Sequence, residues 1–494
     1  MFVQDASKLL AIARTIKNTF APINQVPPEV LSLIPDYCGR HELVTLTHVC
    51  HSWRRVFISR GSLWTYLDCT NLDRTRTYLE RSKAFPLEIR VEEHVLQDAF
   101  LLAIQHTRRL KALTLVGYLH GILKLTDHLI SLVSPAPLLE KLGIRVWGPR
   151  PAAIESAFFD GDLRSLRELR LFGLITNLPW RNLPNLTTFH YFRQISDNGI
   201  PVTHLLDFFE HAPLLHEIKL MDLLPDSSDA PPQRVVSLLH LRSLKMSSES
   251  ALSILLNHLH IPAGSSVTLE FLFDGEQYPL PDYLPKSLDN LNNISHITSV
   301  NLNFDSGIIL RLEGPSGDLC ITDSYGDFSV PTNRFLRCLN RLPVSSTERL
   351  EIAQCDASVL SNVEEHFASR TLIPMINIRT LTLTYCPNPA FILALNPNRN
   401  ISNTVRCPKL EEFGLYAQTR PDEFYITELL EMARERALRG AKLATFVINC
   451  PQDVDPADRI FDLRSYVSCV EHRIDSDPLD WDAILGEVGG PLRL

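Results

Sequence analysis

The sequence predicts an α/β protein in which a small all-helical head precedes a long array of stacked strand and helix units. Two observations predict this class. Residues 23–57 combine short apolar stretches of helical spacing with Pro and Gly breaks, and the rest of the 494-residue chain repeats one Leu-rich phrase. The composition, with 45% hydrophobic and 21% charged residues, is that of a globular chain. A net charge of −9 gives no reason to expect nucleic acid or an acidic membrane as a partner.

Residues 1–22 predict an N-terminal amphipathic helix. An early Asp and interspersed Lys and Arg argue against a secretory signal, and no apolar run approaches the length that spans a membrane. We expect the helix to pack on the head, and the alternative is a helix on a membrane surface. Its apolar face would consist of Leu9, Leu10, Ala13, Ile16, Thr19 and Phe20.

The head spans residues 23–68. Pro27 and Pro28 suit the first turn of a helix, and Pro35 and Gly39 predict its end. So few core positions make a marginal domain that gains stability from a partner or a neighbour, and the exposed Val26-Pro27 pair suits a partner's groove. Apolar residues then recur at the helical steps of three and four, at Leu43, Leu46, Val49 or Cys50, Trp53, and Val56 or Phe57.

This stretch resembles an F-box. Val26–Leu31 (VPPEVL) matches the first part of the F-box pattern, and Val49–Arg54 (VCHSWR) matches the second part. Leu63-Trp64 matches the pair that commonly follows, and Ile23-Asn24 is similar to the opening of many fungal F-box proteins. The match covers less than a tenth of the chain, but several spaced positions agree.

The resemblance implies that the head binds the Skp adaptor, and through it a cullin-RING ubiquitin ligase. Two departures are mild: Val26 stands in place of Leu and would weaken adaptor binding, and His51 replaces a basic residue. The residues expected at the interface lie in and between the matched segments: Val26, Pro27, Pro28, Glu29, Leu31, Ile34, Leu43, Leu46, Val49, Cys50 and Trp53.

The body repeats the phrase apolar-x-x-apolar-x-apolar. The alternation at its end is typical of a short strand with one buried face, and helix-like runs separate the phrases. Because one strand and one helix cannot bury their own apolar face, we expect residues 70–450 to form a degenerate leucine-rich-repeat-like solenoid with parallel strands on its concave side. The phrases end at positions 115, 144, 171, 191, 220, 246, 302, 383, 415 and 448.

Two regions depart from this period. Residues 262–345 are β-rich, with four strand-like runs, and are either an insertion or repeats whose helices are replaced by strands and loops. Residues 451–494 predict a C-terminal cap or tail, with Trp481 and Ile484 as its docking residues.

The ten cysteines predict reduced thiols in a cytoplasmic or nuclear protein, because they are scattered and form no CxxC motif. Cys355 and Cys386 each end a phrase at a position that usually takes Asn or Cys, so we expect structural thiols. The histidine pairs have no Cys or acidic residue at ligand spacing. The sequence therefore predicts neither a metal site nor a cofactor.

The strand residues between the buried positions predict a target-binding surface. Arg170, Lys219 and Lys245 make the first half basic, which favours an acidic or phosphorylated target segment. The alternative is that they are ordinary solvated strand residues. The complete set is Thr114, Arg170, Lys219, Lys245, Thr382 and Gly414.

Three functions are compatible with these patterns. The first is a substrate-recognition adaptor of a Skp–cullin–F-box ubiquitin ligase, which binds an unknown target protein and performs no bond chemistry. The second is a protein-interaction scaffold outside any ligase. The third and weakest is a hydrolase or transferase within residues 262–345, which the absence of nucleophile and phosphate-binding motifs disfavours.

Overall fold

The computed structural model describes the following residues of the chain. They are 2–39, 42–92, 95–118, 132, 134–147, 152–154, 159, 163–176, 183–192, 200–222, 225–226, 234–248, 252–271, 282–304, 307–323, 335–355, 367–400, 402–417, 421–449 and 458–473. Trp481 and Ile484 lie outside them, as does most of the helix-like run at 357–370.

The contacts divide the chain into two units. The first comprises residues 1–197 and 207–217, and the second comprises residues 198–206 and 218–494. The N-terminus is helical, and a mostly parallel sheet follows, so the chain is an α/β protein as predicted. Within the described ranges, none of the helices is both long and apolar enough to cross a membrane.

Short helices dominate the first 110 residues. The apolar period that begins at Leu43 does not form one helix, because a turn separates the third and fourth helices. Single-turn 3-10 helices cover Pro22–Gln25, Ile34–Tyr37, Gly61–Trp64 and Thr107–Arg109. The α-helices are α1 (Phe2–Thr19), α2 (Pro28–Leu31), α3 (Glu42–Leu46), α4 (His51–Ser59), α5 (Leu72–Ser82) and α6 (Gln97–Ile104).

Helix α1 forms as predicted, but its apolar face is not covered. Leu9 is 67% exposed, Ile16 55% and Phe20 73%. The expected packing of this face on the head is therefore wrong.

The first unit contains a parallel sheet of six strands in the order β1, β2, β3, β4, β6, β8. Two further strands, β5 and β7, form a separate parallel pair. The strands are β1 (Tyr66–Leu67), β2 (Leu87–Val91), β3 (Leu110–Tyr118), β4 (Lys141–Trp147), β5 (Ala152–Ile154), β6 (Glu168–Phe172), β7 (Leu174–Thr176) and β8 (Thr188–Phe192).

Helix α7 (Val202–His211) and strand β10 (Glu217–Met221) each contain residues of both units. In the second unit, β9 pairs with β11 and β12 pairs with β14. These four strands are β9 (Ile200–Pro201), β11 (Pro225–Asp226), β12 (Val236–Ser237) and β14 (Leu259–His260). The helices of the second unit are α8 (Leu252–Leu256), α9 (Phe367–Leu372), α10 (Ala390–Leu395) and α11 (Glu423–Leu438), with 3-10 helices at Asn292–Ile294, Val344–Ser346 and Asp458–Ser465.

The larger sheet of the second unit has the order β13, β15, β18, β17, β16, β19, β20, β21, β22, β23. Every pairing in it is parallel except those of β17. The strands are β13 (Ser243–Ser248), β15 (Ser265–Phe271), β16 (Ser299–Asn303), β17 (Ile308–Gly314), β18 (Gly317–Asp323), β19 (Arg349–Ala353), β20 (Thr380–Thr384), β21 (Glu412–Tyr416), β22 (Thr445–Asn449) and β23 (Cys469–Arg473).

The irregular block at 262–345 contains the four strands that its sequence predicts. β17 runs antiparallel to both β16 and β18, and β18 lies parallel to β15. Two consecutive strands of the chain thus separate β15 from β16. Of the two predicted explanations, the strand order supports an insertion.

The repeated phrase accounts for the core of both sheets. Each of the ten phrases has its three apolar side chains buried, and Tyr191, at 4%, is the most exposed of them. Within the first sheet, Leu113 lies opposite Leu142, and Leu142 lies opposite Leu169. Equivalent positions of successive phrases therefore stack in rows.

After several strands, the residue two positions beyond the last apolar residue of the phrase has a left-handed backbone conformation. The φ angles there are 67° at Gly173, 51° at Asp222, 56° at Gln354 and 54° at Tyr385. Cys69, two residues after Leu67 of β1, has a φ of 54°. The first strand, which lies inside the predicted head, therefore ends as the phrases do.

Cys355 and Cys386 are buried at neighbouring strand ends. The Cys386 sulfur lies 3.4 Å from the carbonyl oxygens of both Ile352 and Thr384, and burial raises the pKa of Cys386 to about 12.

We expect both thiols to react slowly with an alkylating reagent in the native protein at pH 8, because Cys386 stays protonated and both side chains are covered. The exposed Cys469 is the internal control and should react quickly. Mass spectrometry of timed samples measures the three rates. Fast labelling at either buried site, or zinc retained in equal amount with the protein, would contradict a structural role.

Gly173 offers a test of the left-handed turn. A Cβ there would lie 2.1 Å from the Val146 carbonyl oxygen, whereas a Cβ at Gly264, which also has a positive φ of 84°, would meet nothing within 4 Å. We expect Gly264→Ala to cost about 1 kcal/mol of unfolding free energy and Gly173→Ala roughly 3 kcal/mol, because only the latter displaces backbone. Urea unfolding measures both, and equal costs would contradict the close approach.

Candidate functional site

The head, residues 23–68, is built around a small apolar core. Leu31 of α2 and Trp53 and Phe57 of α4 are buried, at 2%, 8% and 0% exposed. The rings of Trp53 and Phe57 meet edge to face with their centroids 5.5 Å apart. Half-buried side chains surround these three: Ile34, Leu46, Cys50, Val56 and Leu63.

Asn24 connects the start of the head to α4. Its side-chain oxygen accepts a hydrogen bond from the Trp53 indole nitrogen at 2.7 Å, and the Cys50 sulfur lies 3.8 Å from the same oxygen. A buried indole N–H without an acceptor is costly, so this bond fixes the 3-10 helix Pro22–Gln25 against α4. The resemblance included Asn24 but assigned it no role.

Trp64 connects the end of the head to α5. Its side chain is fully buried, and its indole nitrogen donates to the Phe57 carbonyl oxygen at 2.9 Å. Tyr78 meets it edge to face at 4.9 Å, and the Arg81 guanidinium lies 4.3 Å from its ring centroid. The head therefore packs directly on the layer that follows it.

A small cavity of about 90 Å³ lies between α3, β1 and α5. Burial raises the pKa of Asp68, but hydrogen bonds from the Thr70 amide and the Arg74 guanidinium outweigh it, so the net shift is downward. Asp68 is thus a carboxylate paired with Arg74, and the cavity has room for only a few water molecules. Its lining consists of Val44, Tyr66, Leu67, Asp68, Arg74, Thr75 and Tyr78.

The eleven residues expected at the interface fall into three classes of exposure. Leu31, Leu43 and Trp53 are buried within the head. The half-buried residues are Val26, Ile34, Leu46 and Cys50, and the exposed ones are Pro27, Pro28, Glu29 and Val49.

The head also exposes large apolar side chains that are not among the eleven residues expected at the interface. Val30 is 52% exposed, Leu33 47% and Tyr37 90%. Of the 23 large apolar side chains that are exposed in the described residues, 11 lie in the first 49 residues. The available signal was that Val30 and Leu33, three residues apart, share one side of α2 and the turn after it.

The fold and this core define a small helical interaction domain followed by an α/β body. The family model described as F-box-like matches residues 23–70, so the chain carries an F-box-like domain. This domain supports a role in binding the adaptor of ubiquitin ligases of the Skp–cullin–F-box type. No curated protein matches the chain in a sequence search.

The strand positions expected to bind a target are less basic than their sequence suggests. Arg170 forms an ion pair with Glu168 at 2.7 Å, and Lys245 with Glu270 at 2.8 Å. Because both side chains have carboxylate partners within the chain, their positive charge no longer argues for an acidic target segment. Thr114, Lys219 and Thr382 are half-buried, and Gly414 is buried.

Among the residues that the structure describes, no group of three or more His, Cys, Asp or Glu side chains is placed to hold a metal ion.

We expect Asn24→Ala to loosen the head, because it leaves the Trp53 indole N–H without its acceptor. The cost should be about 1–2 kcal/mol, and hydrogen exchange at the Trp53 indole should accelerate. Heteronuclear NMR of the five tryptophans follows that proton. The neighbouring and exposed Gln25→Ala is the matched control and should leave exchange unchanged. Unaltered exchange in Asn24→Ala would show that the bond does not hold the head together.

Proposed function

We propose that this protein is a substrate-recognition adaptor of a Skp–cullin–F-box ubiquitin ligase. Residues 23–70 bind the Skp adaptor, and the α/β body holds a target protein near the ubiquitin-charged enzyme. The chain then accelerates ubiquitin transfer by proximity, because it raises the local concentration of the target's acceptor lysines.

The observation that carries the proposal is the apolar surface of the F-box-like domain. Val30, Leu33 and Tyr37 are exposed on one short stretch, next to the exposed Pro27 and Pro28. An exposed apolar cluster on so small a domain is typical of a surface that a partner covers. Adaptor binding supplies that cover.

The residues of this surface have two roles, direct contact with the adaptor and support of the contacting residues. Pro27, Val30, Leu33 and Val49 contact the adaptor directly, since they are exposed. Leu31, Leu43 and Trp53, which the motif also includes, support the surface from beneath because they are buried. Their replacement would lower binding by unfolding the head.

For the body we propose a degenerate leucine-rich-repeat-like solenoid over residues 70–450. Three observations support it: in-register parallel strands, a buried apolar row at each phrase position, and the recurrent left-handed residue after the strand. We propose that the target binds the strand face between the buried rows, which presents side chains in a regular array.

The adaptor interface can be tested with Val30→Glu and Leu33→Glu combined in the full-length chain. Two charges in an apolar contact should weaken adaptor binding by roughly 100-fold, because neither can be solvated in the complex. Surface plasmon resonance with a purified Skp adaptor measures the affinity. Leu438→Glu, at a position 70% exposed on α11, is the matched control and should bind normally.

Undiminished binding in the double variant, with the head still folded, would place the interface elsewhere. Co-purification separates the ligase from a scaffold outside it. A ligase subunit brings down both the Skp adaptor and a cullin from cells, whereas a scaffold brings down neither.

A further inference from the structure

The outward face of the first sheet carries an arginine among aromatic rings. Arg145 of β4 lies opposite Phe172 of β6, and Phe172 lies opposite Phe192 of β8. The rings of Phe172 and Phe192 stack with their centroids 5.9 Å apart. Trp147, two residues beyond Arg145 on the same face, is 45% exposed. We call these four residues the arginine–aromatic surface.

The Arg145 guanidinium is held by rings and not by a carboxylate. It lies 5.0 Å from the Trp147 ring centroid and 4.7 Å from that of Phe172. Its Nε is buried and has no hydrogen-bond acceptor among the described residues. Burial, together with the Arg170 guanidinium nearby, lowers the pKa of Arg145.

The neighbouring cations on the same face do have carboxylate partners. Arg170 lies 2.7 Å and Lys141 3.1 Å from Glu168, and Arg90 of β2 lies 2.8 Å from Glu92. Lys141 and Arg170 thus share the carboxylate of Glu168. Arg145 has no carboxylate partner among the described residues.

Gly143 leaves room beside this charge. It lies two residues before Arg145 on the same face, between Thr114 and Arg170 in the sheet. A Cβ at this position would meet nothing closer than the Thr114 hydroxyl at 3.7 Å, so the fold does not require glycine here. No side chain of this residue therefore stands beside Arg145 on this face.

We propose that the arginine–aromatic surface binds a segment of the target protein in which an Asp or Glu carboxylate stands next to an apolar side chain. This inference rests on the proposed function, in which the body holds a target. The carboxylate pairs with the guanidinium, and the apolar neighbour lies on the ring of Trp147, which is 45% exposed. Phe172, which is only 7% exposed, supports the guanidinium and does not contact the ligand.

The chemistry of the surface favours this ligand over other anions. The flat guanidinium, fixed between rings, presents parallel N–H donors that match the two oxygens of a carboxylate. Aromatic and arginine side chains are the groups that dominate protein–protein contacts. A doubly charged phosphoryl group fits less well, because Glu168 carries a negative charge on the same face.

Selection of a phage-displayed library of short random peptides on the full-length chain provides the probes. The selected peptides should carry Asp or Glu beside an apolar residue. Synthetic copies should bind Arg145→Gln roughly tenfold or more weakly by fluorescence anisotropy. Replacing the peptide's Glu by Gln should cost as much on the wild-type chain and nothing further on Arg145→Gln, as expected for one shared contact.

Arg90→Gln is the matched control, because it removes an arginine from the same face that has its own partner, Glu92. Peptide binding should be unchanged in it. Trp147→Ala keeps the guanidinium but removes one ring, and it should also weaken binding. The melting temperature of each variant is measured beside that of the wild-type chain, and an unchanged value shows that the fold is intact.

The inference is overturned if no peptide is selected, if the selected peptides lack an acidic residue, or if they bind Arg145→Gln as tightly as the wild-type chain. Tighter binding of phosphoserine copies than of the acidic peptides would also overturn it, in favour of a phosphoryl ligand. Adaptor binding is measured on the same preparations. If it is intact, a failure belongs to this inference alone, and if it is absent, the proposed function fails as well.

Discussion

The structure depends on the burial of apolar rows that no single strand and helix could bury alone. Each phrase places its last two apolar residues on one face of a short strand, and the neighbouring strand covers them in register, as Leu381 is covered by Leu350 and Phe413. Stability in such an array comes from the contacts between successive units. The left-handed residue after the strand supports this arrangement. It ends several strands at the same position, two residues after the last buried apolar side chain.

The inserted hairpin shows how far this constraint tolerates variation. Leu302 of β16 lies opposite Leu310 of β17, Leu310 opposite Ile321 of β18, and Ile321 opposite Leu269 of β15. The apolar row therefore passes through both extra strands without a break, although the direction of β17 reverses. An insertion of two strands preserves the side-chain period of two, so the core on either side is unaffected.

The head joins this array at its end. β1 pairs in parallel with β2 and ends with the same left-handed geometry as the phrases, while Trp64 is buried beside α5. The F-box-like domain thus has its core supported on one side by the body. It also exposes Val30, Leu33 and Tyr37, which its own chain does not cover among the described residues.

Periodicity in the sequence was enough to determine the α/β class, the helical character of the head, the strand of every phrase and the β-rich character of residues 262–345. These features depend on spacing along the chain, which local geometry translates directly into one buried face. The sequence analysis did not predict the ion pair of Arg170 with Glu168, although residues two apart on a strand share a face.

Only the tertiary structure decided the remaining features. β1, β2 and β23 lack the full phrase, so their pairing comes from neighbouring strands. The register of β13 with β15 brings Lys245 to Glu270. The register of β4 with β6 places Arg145 opposite Phe172. In the head, α2 is a single turn, too short for its pattern to distinguish the buried Leu31 from the exposed Leu33. Leu31 is the buried residue because Trp53 and Phe57 of α4 cover its side of α2.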